Sequence, residues 1–199
     1  VWQPNFAALP PLTPVTAADD PGLLREKTMS APSSLKEVYV DEMKDLWSAN
    51  DQMTKAIKTM AEHVGDKKLK QMLEQSVSGI QEHVDTLKSL IEDAGGEVSK
   101  EHCKGMAGLV KEAHKHIIEE APEDEELKAV VAIAQYQRMS HYGLAGFGSA
   151  ASYASTLGMK DAATKLKDIV KSIYQADEYS SQLGERTAKL AEKHAKKAA

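Results

Sequence analysis

The chain has 199 residues, 42% hydrophobic and 28% charged, with a formal net charge of −5. That length buries a real core in one domain with an appendage, and the acidic balance excludes a general nucleic-acid binder, which needs a basic surface to displace counterions. No run approaches the roughly 20 apolar residues that span a bilayer, so neither nucleic acid nor membrane is expected as a partner. Cys103 is the single cysteine, which rules out an internal disulfide and fits a reducing compartment. No basic region followed by an apolar core opens the chain, and the cytoplasm is the expected location.

Residues 1–33 hold Pro4, Pro10, Pro11, Pro14, Pro21 and Pro32, six of the seven prolines. Each fixes φ and removes a backbone donor, which predicts an extended, disordered tail. Trp2, Phe6, Leu9 and Leu12 give that tail apolar anchors for a protein partner. Met29-Ser30-Ala31 reads as a natural start, so residues 1–28 are expected to precede the domain proper.

From residue 34 to residue 192 the pattern is helical. Ser33 or Ser34 can cap the first helix, with Glu37 placed as in a capping box. Leu35, Tyr39, Met43, Leu46, Asn50, Met53, Ile57, Met60 and Val64 then recur at steps of three and four, one helical stripe ending near Gly65. The second helix starts around Lys67 with Leu69, Met72 or Leu73, Ser76, Ile80, His83, Leu87 and Leu90 inward, closed by Gly95-Gly96. A shorter helix spans Cys103 to Glu119, with Met106, Leu109, Val110, Ala113 and Ile117 inward. In the acidic run that follows, Pro122 suits the first turn of the next helix, and the carboxylates favour its positive end.

The third long helix carries two stripes: Val130, Ala134, Gln137, His141, Leu144, Gly148 and Ala151, and then Tyr136, Met139, Gly143, Phe147 and Ala154. A helix apolar on two sides is sandwiched, so the second stripe is expected either inside the bundle, where the short helix can cover it, or against a second subunit. Gly143, Gly146 and Gly148 each cost about 1 kcal/mol against Ala inside a helix, which implies another helix packed on bare backbone. The fourth long helix carries Leu166, Ile169, Val170, Ile173, Asp177, Leu183, Thr187 and Leu190. Residues 193–199 form a basic end expected to fray. The fold class is all-α, an antiparallel four-helix bundle with a short extra helix between helices 2 and 3.

Each long helix has a polar residue at mid-length on its core stripe: Asn50, His83, His141 and Asp177. Four such groups at one level must satisfy one another or bind something, because unpaired buried polar groups cost several kcal/mol. A hydrogen-bonded network, with Asp177 holding His141, is the first expectation. The alternative is a site for a divalent transition metal (Fe, Mn or Zn) built from His83, His141 and Asp177 with Asn50 or Glu178 assisting. His114 and His116 point to different helix faces, as do His102 and Cys103. No Walker loop, Rossmann fingerprint, nucleophile elbow or HExxH is present.

Over residues 35–183 the chain resembles the YciF/YciE-type ferritin-like stress proteins. The landmarks are Leu46-Trp47-Ser48-Ala49-Asn50-Asp51-Gln52-Met53, Cys103-Lys104-Gly105-Met106-Ala107-Gly108-Leu109, and His141-Tyr142 with Gly148. The resemblance implies a ferritin-like bundle, a homodimer and, in the metal-binding members, a di-iron carboxylate site. The residues at the matching positions depart from that site. Asn50 stands where those members have the Glu of Ser-Ala-Glu, and Ser78-Gly79-Ile80 where they have Glu-Glu-Thr. Ser140-His141-Tyr142-Gly143 replaces Glu-His-Tyr-Glu, and Ser172-Ile173-Tyr174-Gln175 replaces a Glu run. The expected carboxylates are absent, and the replacements are those of a cavity that has been refilled. The expectation is therefore a non-enzymatic stress-associated structural or interaction protein, with no catalytic residues and no cofactor.

Overall fold

The computed structural model describes residues 31–98 and 102–198. The tail anchors Trp2 and Phe6 lie outside the described residues. The elements are α1 (Leu35–His63), α2 (Lys67–Asp93), α3 (Lys104–His114), which runs on into a π-helical turn (Lys115–Glu119), α4 (Glu125–Thr156) and α5 (Lys160–Ala198). Short polar side chains start the helices by accepting otherwise orphaned N–H groups. Ser34 accepts from Glu37 at 3.2 Å, Asp66 from Leu69 at 2.7 Å and Asp124 from Leu127 at 2.8 Å. The Glu37 carboxylate turns to Ser33, accepting from its N–H at 2.6 Å, so half of the capping box forms as expected.

The core falls into two apolar halves. One joins Met53, Ile57 and Met60 of α1 to Leu69 and Leu73 of α2, Ile133 and Met139 of α4, and Leu183 of α5. The other joins Tyr39, Met43 and Leu46 to Leu87 and Ile91, to Phe147 and Ala154, and to Leu166 and Ile169. These pairings set α1 antiparallel to α2 and α4, and α5 antiparallel to α4. Because α2 and α4 then run the same way, the chain must travel back along the bundle between them. α3 and the π-helical turn make that return, lying on α1 and α4. Gly95 and Gly158, with φ of +80° and +74°, close α2 and α4 in the left-handed conformation that glycine adopts freely.

Three expectations are corrected. Pro122 lies ahead of the Asp124 cap, since the cap side chain sets where the helix begins. α5 continues unbroken to Ala198, because its alanines, lysines and Glu192 are strong helix formers and its basic end suits the negative C-terminus. Leu190 is 43% exposed and Ala191 is buried in its place. Of the two alternatives for the Tyr136, Met139, Gly143, Phe147 stripe, the structure shows burial inside the bundle, complete for Met139 and Phe147.

Of the three α4 glycines, Gly146 alone meets the expected close approach. A Cβ there would fall 2.6 Å from Leu46 Cδ2 and 2.9 Å from Glu42 Oε1, whereas at Gly148 it would meet nothing within 4 Å. Leu46 is fully buried and has nowhere to move. Gly146→Val should therefore destabilise the bundle by about 1–3 kcal/mol through overpacking. Gly148→Ala should stabilise it by up to about 1 kcal/mol. Urea unfolding midpoints check both signs.

Candidate functional site

Between the two halves of the core the bundle is hollow. A cavity of about 410 Å³ is lined by all four long helices. Residues three and four apart share a helix face, which brings in Asn50 and Met53 from α1, Ser76, Gly79, Ile80 and His83 from α2, and Tyr136, Ser140 and Gly143 from α4. α5 contributes Ser172, Ile173, Gln175, Ala176 and Tyr179. Gln75, Ser172, Gln175 and Tyr179 are exposed, so the cavity opens between α2 and α5. None of the described residues lining it is acidic, lysine or arginine.

The space exists because the replacements are small. A Cβ on Gly79 would have no neighbour within 4 Å, and one on Gly143 would touch only the Phe147 ring, at 3.8 Å. The expectation of a refilled cavity is thus corrected: glycine and serine cannot occupy the volume a glutamate would.

His83 forms one wall. Its ring meets Phe147 edge-on, with centroids 5.6 Å apart and planes at 68°. Burial lowers its pKa to about 4, so the imidazole is neutral at pH 7. Nε2 lies 3.3 Å from Ser172 Oγ, and the buried Nδ1 has no partner among the described residues. Ser172 donates to the Ile169 carbonyl at 2.8 Å. The pair therefore lacks the marks of an activated nucleophile: the serine proton is committed elsewhere, the base is weak and no carboxylate orients it. Two turns earlier on α2, Ser76 donates to the Met72 carbonyl at 2.9 Å, which leaves the Tyr136 hydroxyl as donor to Ser76 at 3.1 Å. Asn50 donates to the Leu46 carbonyl at 2.8 Å.

The four mid-helix polar residues do not converge. Asn50 and His83 line the cavity. His141 and Asp177 pair on the outer side of α4 and α5, with Nε2 3.0 Å from Oδ1 and the His141 side chain 55% exposed. Gln137 joins them, donating to Asp177 at 3.0 Å and to Ser181 at 2.8 Å. The buried face of α4 runs through Tyr136, Met139, Ser140 and Gly143, so Gln137 and His141, one residue further on, are turned about 100° away from it. Glu178 is exposed and lies outside the lining. Among the described residues, one group of three side chains has ligand atoms close enough to share an ion, namely Asp124, Glu126 and His194, at the start of α4. Asp124 is already the helix cap and Glu126 pairs with His194 at 3.3 Å.

A further cluster holds the crossover in place and was not anticipated. The Tyr142 hydroxyl donates to Asp45 at 2.9 Å, and Cys103 Sγ lies 3.0 Å from that hydroxyl. The Cys103 N–H donates to Ser48 at 3.0 Å, and Gln52 donates to the Cys103 carbonyl at 3.1 Å. Burial, ahead of these bonds, pushes the Cys103 thiol and the Tyr142 phenol above their ordinary ranges, so both stay protonated. The signal in the sequence was Gly105, where a Cβ would fall 2.7 Å from the Tyr142 ring.

An antiparallel bundle of four long helices with a single long crossover defines the ferritin-like class. The chain belongs to the family described as a domain of unknown function, DUF892, which matches residues 34–193. It is 27% identical over 139 residues to protein YciF of Escherichia coli (strain K12), covering 69% of this chain and 82% of YciF. The crystal structure of the E. coli stress protein YciF aligns with a TM-score of 0.75 at 24% identity, over 79% of this chain and 99% of that one. YcfI from Rhodopseudomonas palustris aligns with a TM-score of 0.70 at 23% identity, over 75% and 94%. Ferritin-like, diiron-carboxylate proteins from Bacillus anthracis str. Ames align with a TM-score of 0.60 at 15% identity, over 77% and 99%.

The fold thus raises the question of a di-iron centre, and the cavity residues do not fit one. Such a centre takes glutamates from all four helices. The lining here offers Asn50, Gly79, Ser140, Gly143 and Gln175, which are neutral.

His83 gives a pH dependence whose sign follows from its burial. Between about pH 4 and pH 6.5 the unfolded chain carries a proton on this residue that the native state does not. Stability should fall as pH drops through that window, by an amount on the order of 3 kcal/mol at its lower end. Urea unfolding of wild type and His83→Gln at pH 7 and pH 5 isolates the effect, the variant losing less stability between the two.

Proposed function

We propose that this chain is a non-enzymatic ferritin-like bundle serving as a stress-associated structural or interaction protein, its ancestral di-iron site lost. The observation that carries this reading is the neutral lining of the cavity at the matched glutamate positions. Two ferrous ions need several anionic ligands to offset their charge, and asparagine, serine and glycine provide none. The stress association is brought over from the description of E. coli YciF as a stress protein. A cytoplasmic setting is part of the proposal and is supported by Cys103, a buried free thiol. Among the described residues, no helix is long and apolar enough to cross a membrane.

A homodimer also belongs to the proposal, now without the α4 stripe. Among the described residues, the large exposed apolar side chains left to carry it are Leu35, Leu127, Tyr174, Tyr179 and Leu190. Binding of a protein partner through Trp2 and Phe6 of the tail is a further element of the same reading.

The test is elemental analysis of protein purified without a metal-affinity tag and then exposed to ferrous iron, manganese and zinc. The expected result is no metal above trace. About one ion per chain that survives His194→Ala, which breaks the Asp124, Glu126 and His194 group, would overturn this reading, and two per chain would restore the di-iron one.

A further inference from the structure

We propose that the mid-bundle cavity is a binding site for a small uncharged aromatic molecule bearing an N–H or O–H group. This goes beyond a structural role and rests on the reading that no metal fills the same space. The volume, about 410 Å³, falls within the roughly 300–1,000 Å³ of small-molecule sites.

Charge narrows the ligand class first. A phosphate or carboxylate would enter without a lysine or arginine to meet it, and a metal or amine without a carboxylate, at a cost that unpaired buried charges do not recover. His83 does not alter this, being neutral at pH 7. The walls narrow it further. Met53, Met72, Ile80, Tyr136 and Ile173 present apolar surface, and thioethers make favourable contacts with aromatic rings. Asn50 supplies the polar anchor. One of its two amide N–H groups is committed to the Leu46 carbonyl, which leaves Oδ1 to accept from a ligand N–H or O–H and the second N–H to donate.

Gly79 supplies the control. It faces open space inside an α-helix, so a larger side chain there fills the cavity without a clash and improves helix propensity. N-phenyl-1-naphthylamine, an uncharged aromatic amine that fluoresces in apolar surroundings, is the probe. Its sulfonated relative 8-anilino-1-naphthalenesulfonate tests the charge argument with nearly the same rings. Titration of the full chain should show saturable enhancement with the amine at one equivalent per chain, and binding at least about tenfold weaker for the sulfonate.

Gly79→Leu should keep or raise the melting temperature and abolish the enhancement, and Ala176→Leu should weaken it from the opposite wall. Absence of saturable binding, equal binding of the two dyes, or undiminished binding by both variants would overturn the proposal. Metal uptake in the elemental analysis would instead overturn the reading on which it rests, so the two failures are separable.

Discussion

The constraint on which this molecule turns is a deficit of side-chain volume at one level of a four-helix bundle. Core stripes normally interdigitate to near-crystalline density. Here the facing positions are Gly79, Ser140, Gly143 and Ala176, small residues on three of the four long helices. The core responds by dividing. Apolar layers close above and below the gap, around Met53 and Met139 on one side and around Leu46 and Phe147 on the other. α2 and α5 leave the gap open to solvent between them, at the exposed Gln75, Ser172, Gln175 and Tyr179.

Closure elsewhere compensates. α1 approaches α4 closely at one point, where Gly146 lets Leu46 and Glu42 lie directly against the α4 backbone. The same pair of helices receives the crossover. Cys103 at the head of α3 is held from α1 through Ser48, Gln52 and Asp45 and from α4 through Tyr142. The α3 side of the bundle is thereby fixed by hydrogen bonds within it, and the side facing away is the one free to admit a ligand.

Much of this was legible in the chain. The α1 stripe from Tyr39 to Val64 and the α2 stripe are read directly from three-and-four spacing, because large apolar residues there contrast with charged ones. α4 was harder for a physical reason. Its buried face is built largely from Ala, Ser and Gly, so its polarity contrast with the flanking faces is weak. His141 and Asp177 were thus assigned to the core, whereas a rotation of about 100° per residue puts His141 and Gln137 at the edge. The hollow was legible in part: the small and neutral residues at mid-helix locate it, but whether they collapse or leave space depends on backbone positions that spacing does not specify. Cys103 and Tyr142 are 39 residues apart, and only the folded crossover brings them together.

A neutral mid-bundle layer also bears on what holds the fold together. Several carboxylates facing one another inside a bundle repel and are desolvated, so a bundle carrying them depends on bound cations or on protonation for part of its stability. With Asn50, Gly79, Ser140 and Gly143 at this level, no buried carboxylate of the described lining needs an ion to offset it. The cost here is a different one, the lost contacts around a void and, among the described residues, one unpaired imidazole nitrogen on His83. Small neutral residues at this level, rather than bulky apolar ones, leave an opening at the centre of the bundle.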